Sequence, residues 1–402
     1  MSYPDSDPEF QSDPLLSTAE QMPKNRPSLK VILKHSLLFA ATFLCVTMVG
    51  IMWVGQSANV DTYWEMWPQG ALFATLLLAF LGTHEFGHYF SAVYHNVKVT
   101  LPYFIPVPIG IGTLGAVIKI EEMIRDTKKL FDIGISGPIA GFIVSLIILL
   151  YGFATLPGPE FIENFAGHDE IVQHINETGT FPVNPPEPEP DGATIVMGST
   201  LLYSFIASFF DNVPPMYEMY HYPFLFAGWL GLFFTALNLT PIGQLDGGHI
   251  LYSLIGYEKH KKLARVAYGG IATLGGIEMI PFLYINISEW FPGFGYISII
   301  IWATILLFLF GKGFNREPDW VWPALILSVG CSFLYLFFSS GFTQAGSLIW
   351  VFWSFFIVYF IRIEHPPVII EQPLSPGRRR LGWISMAVFI LCISPNPIFF
   401  AN

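Results

Sequence analysis

Residues 82–90 read GTHEFGHYF and lie inside a mostly apolar stretch that runs from Gly70 to His95. Crossing the hydrocarbon of a bilayer takes about 20 residues of helix, and this stretch is long enough only if its ionisable residues belong to the span. Ionisable side chains inside a membrane are costly, so they are functional candidates. The stretch therefore predicts a transmembrane helix with a functional site at His84, Glu85 and His88.

The spacing of these residues indicates a metal site. His84 and His88 are four residues apart, so a helix places both imidazoles on one face, one turn apart. Two imidazole nitrogens at this spacing suit one Zn²⁺ ion, and Glu85 is placed to act as a general base on a water molecule. The same pattern also occurs by chance on soluble helices, but its apolar surroundings favour the metal site.

The composition is typical of a membrane protein with several spans. Of the 402 residues, 53% are hydrophobic and 12% are charged, and the mean hydropathy is +0.53, whereas soluble domains carry about a quarter charged residues. The net charge of −11 gives no indication of nucleic-acid binding. The three cysteines lie far apart in apolar runs, so we expect neither a disulfide framework nor a cysteine metal site.

The expected fold is an all-α polytopic membrane protein with about nine transmembrane helices, and eight is the alternative because the last apolar run is short and followed by prolines. Besides the metal helix, apolar runs lie near 31–54, 132–154, 223–240, 263–286, 294–311, 320–340, 344–361 and 382–399. We divide the chain into a disordered cytosolic tail (1–30), a membrane core (31–260) that includes the loop 155–222, and additional C-terminal helices (261–402).

Residues 101–120 predict a hairpin that re-enters the membrane. They are apolar, but three prolines followed by three glycines argue against a helix. Non-helical backbone at membrane depth is stable only where protein or a water-filled cavity satisfies its polar groups. We therefore expect a re-entrant hairpin packed beside the metal helix, near the active site, and a surface loop is the alternative.

The charges predict which loops share a side of the membrane. All 19 Lys and Arg residues lie in the N-terminal flank or in the alternate loops 95–130, 258–265, 312–316 and 362–380, and none lies in the acidic loop 155–222. By the positive-inside rule the N-terminus is cytosolic and the acidic loop is outside. His84 then lies roughly 15 Å along the helix from its cytosolic end. The span 223–240 also runs inward, so Asp246 reaches the same side as His84.

Two residues compete for the place of a third metal ligand. Asp246 and His249 are three residues apart, so a helical turn puts both on roughly the same face. Catalytic zinc accepts either three histidines or two histidines and a carboxylate, so ligand type alone does not decide. Backbone context favours Asp246, because it follows the break at 241–243 and the adjacent glycines allow tight packing. His249 would then serve as a neighbour that orients a ligand.

Several of these motifs together resemble the site-2 protease family of intramembrane zinc metalloproteases. They are HEFGH at 84–88, the glycine-rich stretch 101–120, SGPIAG at 136–141 and LDGGH at 245–249. The resemblance implies that His84, His88 and Asp246 bind Zn²⁺ and that Glu85 is the catalytic base. It also implies a substrate-binding role for Asn238, eight residues before the aspartate.

The resemblance implies an endopeptidase that cuts membrane-anchored proteins within or beside their spans, in regulated intramembrane proteolysis. An upstream protease that makes a first cut outside is a further implied partner. A free edge of the hairpin would pair with the substrate as an added strand, and Gly112 and Gly115 would permit close backbone approach. The expected location is the bilayer of a bacterial inner membrane, with the N-terminus in the cytosol.

A metal-ion transporter is the competing function class. Intramembrane histidines and an aspartate would then bind an ion in transit. A transporter is expected to show inverted repeats or several half-helices, and Glu85 would have no special role in it. An inactive scaffold is a third class, which the intact motif residues disfavour.

The charge pattern gives a test of sidedness. A reporter fused after Gly179 is expected on the extracytoplasmic side, and one fused after Lys261 in the cytosol, because Lys and Arg are absent from 155–222 and present at 258–265. Paired periplasmic-type and cytosolic-type reporters at both positions measure this. Two fusions that report the same side would contradict the common depth of His84 and Asp246.

Overall fold

The computed structural model describes residues 27–58, 61–186, 194–338 and 346–401, which form a mostly helical fold. Nearly all of the expected disordered tail lies outside these residues. The helices are α1 (Leu29–Val54), α2 (Trp67–Tyr94), α3 (Thr127–Ala154), α4 (Asp169–Thr178), α5 (Leu201–Ala207), α6 (Pro223–Leu239), α7 (Asp246–Ile255), α8 (Tyr257–Trp290), α9 (Ile297–Gly313), α10 (Pro318–Phe338), α11 (Leu348–Phe356) and α12 (Pro376–Cys392).

Within the described part of the chain, five helices are long and apolar enough to cross a membrane, namely α1, α2 with the turn before it, α3, α8 and α10. Helices α6, α9 and α11 are apolar but shorter, and α11 continues into one π-helical turn, Ile357–Ile361. The fold is therefore that of a polytopic membrane protein, as expected, while the number nine stays a prediction.

Helix α3 packs closely against both α2 and α6 because small residues line its contacts. A Cβ atom at Gly87 of α2 would lie 2.6 Å from the carbonyl oxygen of Ser136 in α3. On α6, a Cβ at Gly231 would lie 2.1 Å from the Ser145 hydroxyl. Helices approach this closely only where the side chain is missing. The three helices thus form the packed unit that carries the candidate site.

The segment 101–120 contains a β-hairpin within the mostly helical fold, at the place where the sequence predicts a non-helical hairpin. Strand β1 (Tyr103–Pro106) pairs antiparallel with β2 (Thr113–Val117). Gly112 lies against α1, because a Cβ there would be 2.4 Å from the Cα of Val46. On the other flank, His35 of α1 donates a hydrogen bond from Nδ1 to the Pro102 carbonyl at 2.8 Å. The hairpin is thereby fastened to α1, and its re-entry into a membrane stays a prediction.

A second pair of strands joins the acidic loop to the C-terminal residues. Strand β3 (Thr194–Met197) pairs antiparallel with β4 (Ile398–Ala401). The loop has a small apolar core of its own, built around Ile162, Phe165 and Ile171. It also contacts the end of α1, where Ala58 donates a backbone hydrogen bond to Asn164 at 2.9 Å.

Several of the loops that carry Lys and Arg contact one another. Ile370 pairs with Asp126 in an isolated β-bridge, and Arg378 donates a hydrogen bond from Nε to Asp132 at 2.7 Å. Buried Arg265, near the start of α8, contacts Glu317 and Glu364. This grouping agrees with the expected sidedness, although which side faces the cytosol stays a prediction.

The C-terminal helices also contact the core directly. Gly243, in the turn before α7, donates a backbone hydrogen bond to Ile363 at 3.0 Å. A Cβ at Gly243 would lie 1.8 Å from the carbonyl oxygen of Arg362. The proposed boundary at residue 260 falls inside α8, which begins at Tyr257. Helix α8 is continuous at this point, and the division of the chain there stays a prediction.

Gly112→Ala is expected to lower the melting temperature more than Gly110→Ala does. Both glycines have a positive φ, +87° and +65°, so each alanine carries about 1–2 kcal/mol of backbone strain. Only at position 112 does the new Cβ meet α1, and overpacking adds about 1–3 kcal/mol. Thermal unfolding of the purified protein in detergent measures the difference, and equal shifts would contradict this hairpin packing.

Candidate metal centre

Helix α2 presents His84, Glu85 and His88 within the packed unit of α2, α3 and α6. All three side chains are buried, and the two histidines face α3 because its glycines leave room for the rings. A Cβ at Gly137 would lie 2.1 Å from His88 Nε2, and one at Gly141 would lie 3.2 Å from His84 Nδ1. The glycines of 136–141 therefore form the cradle for both imidazoles.

Asp246 reaches the histidines through a tight turn between α6 and α7. The turn contains Gly243 at a positive φ of +53°, and the chain folds back so closely that a Cβ at Gly247 would lie 1.9 Å from the Leu239 carbonyl oxygen. Asp246 is the first residue of α7. A carboxylate at that position is favoured by the partial positive charge of the helix N-terminus.

The three side chains bring their ligand atoms into one triangle. His84 Nε2 and His88 Nε2 are 3.1 Å apart, and Asp246 Oδ2 lies 3.4 Å from the first and 3.2 Å from the second. A tetrahedral zinc ion with bonds of about 2.0–2.2 Å holds its ligand atoms about 3.3–3.5 Å apart. The triangle is thus close to the size that zinc requires, and its two nitrogens and one carboxylate oxygen are a donor set that zinc accepts.

The orientation of His88 also fits a metal ligand. Its Nδ1 donates a hydrogen bond to the Ile133 carbonyl of α3 at 2.7 Å, which leaves the lone pair of Nε2 directed at the triangle. Ligating histidines are held in this way by a partner on the other ring nitrogen. His84 differs, because its buried Nδ1 has no hydrogen-bond partner among the described residues.

Glu85 lies beside the triangle and is not one of its corners. The carboxyl group lies near His88 and Asp246, and the backbone amide of Ile118 approaches it from the end of the hairpin. A carboxylate next to three ligand atoms but separate from them is placed to exchange protons with a molecule at the open position of the site.

The predicted substrate-binding residues take different positions. Asn238, on the last turn of α6, places Nδ2 3.4 Å from His84 Nε2, so it adjoins the triangle. Gly115 has a positive φ of +98° and open space where its side chain would be. Gly112 instead packs against α1, so its missing side chain serves the contact with α1. The substrate-binding role of all three stays a prediction.

His249 is not a corner of the triangle and pairs instead with His365. Its Nδ1 and His365 Nε2 are 2.8 Å apart, and His365 also lies against the ring of Tyr252, with ring centroids 4.6 Å apart. The sequence gives no sign of this pairing, because 116 residues separate the two histidines. The sequence likewise shows Gly137 only as part of the SGPIAG motif at 136–141, and does not reveal its contact with His88.

An apolar cavity of about 850 Å³ lies beside the metal helix, between α1, α2 and β1. It reaches Gly82, Thr83 and Phe86, which flank Glu85 along α2. Phe39 of α1 and Phe104 of β1 form part of the opposite wall. Pockets that are mostly apolar with few polar groups are typical of binding sites.

Comparison with known proteins identifies a matching family model and several curated relatives. A family model described as "Peptidase family M50" matches residues 72–277, just over half of the chain. Two proteins named "Probable zinc metalloprotease EGY1, chloroplastic", from Oryza sativa subsp. japonica and Arabidopsis thaliana, are each 29% identical to this chain. The alignments cover 52% and 54% of this chain and 33% and 36% of those proteins. No solved structure matches.

A third relative, "Probable zinc metalloprotease EGY2, chloroplastic" of Arabidopsis thaliana, is 28% identical over 51% of this chain and 31% of its own length. The chain therefore spans about a third of the length of the curated relatives that it matches. Their names refer to chloroplasts, so they give no support to the bacterial inner membrane that the sequence led us to expect.

Asp246→Ala is expected to lose zinc, whereas His249→Ala keeps it. The first change removes a corner of the triangle, while the second removes a side chain that pairs with His365 and weakens zinc affinity by no more than the 10–100-fold typical of outer partners. Zinc competition against a chelator, on purified protein in detergent, measures both affinities. If His249→Ala releases zinc and Asp246→Ala retains it, this ligand set is wrong.

Proposed function

The chain belongs to peptidase family M50, and from this premise we propose that it is an intramembrane zinc endopeptidase that cuts membrane-anchored proteins within or beside their spans. The family assignment confirms the resemblance to site-2 proteases drawn from the sequence. The single observation that carries the proposal is the buried triangle of His84, His88 and Asp246 with Glu85 beside it. The names of the relatives, which call them zinc metalloproteases, support zinc as the metal.

His84, His88 and Asp246 would hold the zinc ion and leave one coordination position open. When bound, zinc would act as a Lewis acid that polarises the scissile carbonyl, and it would lower the pKa of a bound water molecule to about 7. Glu85 accepts the proton from the attacking water and then delivers it to the leaving amine nitrogen. Its burial in the packed unit keeps bulk water away from this proton transfer.

Asn238 and the hairpin would orient the substrate. The amide of Asn238 lies beside His84, where it can hold a backbone carbonyl of the substrate near the open position. A substrate segment must be extended before hydrolysis, because a helix shields its own peptide bonds. Pairing with the hairpin as an added strand supplies the hydrogen bonds that unwinding removes, and Gly115 offers the open space for it.

The cavity between α1, α2 and β1 supports a route for the substrate. Its lining is apolar, which suits the side chains of a membrane-spanning helix, and it borders the α2 turn that carries Glu85. We propose that a span of the substrate enters here from the bilayer, in regulated proteolysis that follows a first cut outside by another protease. We further propose nine crossings and a cytosolic N-terminus, supported by the charge pattern.

Glu85→Gln is expected to reduce cleavage of a model single-span protein by at least about 100-fold, because the amide cannot accept the proton and general bases contribute about 10²–10⁴-fold. Zinc content is expected to stay near that of the wild type, since Glu85 is no corner of the triangle. The assay uses protein reconstituted in vesicles with the substrate, together with metal analysis.

Glu121→Gln is the matched control, because Glu121 is an exposed carboxylate outside the site. It should leave cleavage and zinc content unchanged. Cleavage retained by Glu85→Gln would refute the protease mechanism, and zinc lost together with cleavage would refute the role of Glu85 as a base. Zinc uptake into vesicles that depends on Asp246 without any cleavage would support the transporter instead.

A further inference from the structure

A second cluster of metal-ligand side chains lies in the acidic outer loop, far in sequence from the triangle on α2. It consists of His168, before α4, and of Glu218 and His221, in the turn before α6. His168 Nε2 and His221 Nε2 are 3.1 Å apart. Glu218 Oε2 lies 3.2 Å from the first nitrogen and 3.7 Å from the second.

Both imidazoles are oriented by backbone carbonyl groups. His221 donates a hydrogen bond from Nδ1 to the Trp53 carbonyl at 2.8 Å, and His168 Nδ1 lies 3.1 Å from the Ala166 carbonyl. With Nδ1 as the donor on each ring, both Nε2 atoms carry a lone pair. Two lone pairs that face each other at 3.1 Å repel unless a proton or a metal ion lies between them.

Glu218 adds a buried carboxylate that faces both imidazoles. The side chain is 3% exposed, and its buried Oε2 accepts no hydrogen bond among the described residues. The sequence of 155–222 contains neither Lys nor Arg. A buried carboxylate requires a cation or hydrogen-bond donors to offset its desolvation.

The geometry closely matches the triangle on α2. The nitrogen–nitrogen distance is 3.1 Å in both clusters, and the shorter nitrogen–oxygen distance is 3.2 Å in both. Each cluster combines two histidines with one carboxylate, and each has a histidine whose Nδ1 is bound to a carbonyl of a neighbouring segment. Two imidazoles and a carboxylate form a donor set that zinc accepts.

We propose that His168, Glu218 and His221 bind a second divalent transition-metal ion, with zinc favoured by the donor set. This ion would join three segments, the linker before α4, the turn before α6 and the end of α1 at Trp53. Its role would be to hold the acidic loop on the outer ends of α1 and α6. The proposal does not rest on the protease activity.

Zinc stoichiometry of the full chain tests this proposal. The protein is purified in detergent, stripped with a chelator, loaded with zinc chloride, dialysed and analysed by mass spectrometry of the metal. We expect about two zinc ions per wild-type chain and about one for His168→Ala or Glu218→Gln, because each removes a ligand. His174→Ala is the matched control, since His174 lies in the same loop but outside the cluster, and it should keep both ions.

The double variant His168→Ala with Asp246→Ala separates the two sites. Asp246→Ala alone should retain about one zinc ion and the double variant almost none, if each cluster binds one ion. Zinc should also raise the melting temperature of Asp246→Ala but not of the double variant, because only a site in the native state shifts stability. Glu218→Gln, which is nearly isosteric, serves if His168→Ala fails to fold.

Several results would overturn the outer site. It is wrong if His168→Ala and Glu218→Gln, both folded, bind as much zinc as the wild type. It is also wrong if His174→Ala loses as much zinc as His168→Ala, since that would indicate non-specific binding to the loop. If Asp246→Ala retains two ions while His168→Ala loses one, the outer site stands and the ligand set of the proposed protease fails instead.

Discussion

The structure depends on offsetting the cost of placing two imidazoles and two carboxylates in the apolar interior of a helix bundle. A single ionised group without a partner costs several kcal/mol in such surroundings. The chain concentrates these groups at one point, where His84, His88 and Asp246 lie within 3.4 Å of one another and a cation can compensate them together. Separated along the bundle, each group would destabilise the fold.

This concentration requires backbone contacts that few side chains permit. Helix α3 has glycine at the two positions that face the imidazoles. Glycine also occurs in the turn before α7, where it meets residue 362, and in the first turn of α7, where it meets residue 239. The candidate metal site therefore requires these glycines as well as the three ligand side chains. A side chain at position 137 would disturb the site as directly as a substitution of His88, because its Cβ atom would overlap the imidazole of His88.

Local features of the fold were predictable, whereas most contacts between distant segments were not. The period of a helix suffices to place His84 and His88 on one face, and the prolines of 101–120 suffice to exclude a helix there. The charges of the loops predicted that Asp246 lies on the same side as His84. The partner of His249 is a residue 116 positions away, and no periodicity encodes such a contact. The strands β3 and β4 were not predicted for the same reason. Each is only four residues long and is a strand because it pairs with the other.

The pairing of β3 with β4 has a consequence for the biogenesis of the protein. Residues 398–401 are synthesised about 200 residues after 194–197, and contacts across such a separation form late. The acidic loop is therefore expected to stay incompletely folded while the seven helices α6 to α12 are synthesised. Until β4 is made, the edge of β3 that pairs with it is open to chaperones and proteases. Incomplete synthesis or folding of the chain can thus be recognised at one exposed edge, that of β3, before β4 pairs with it.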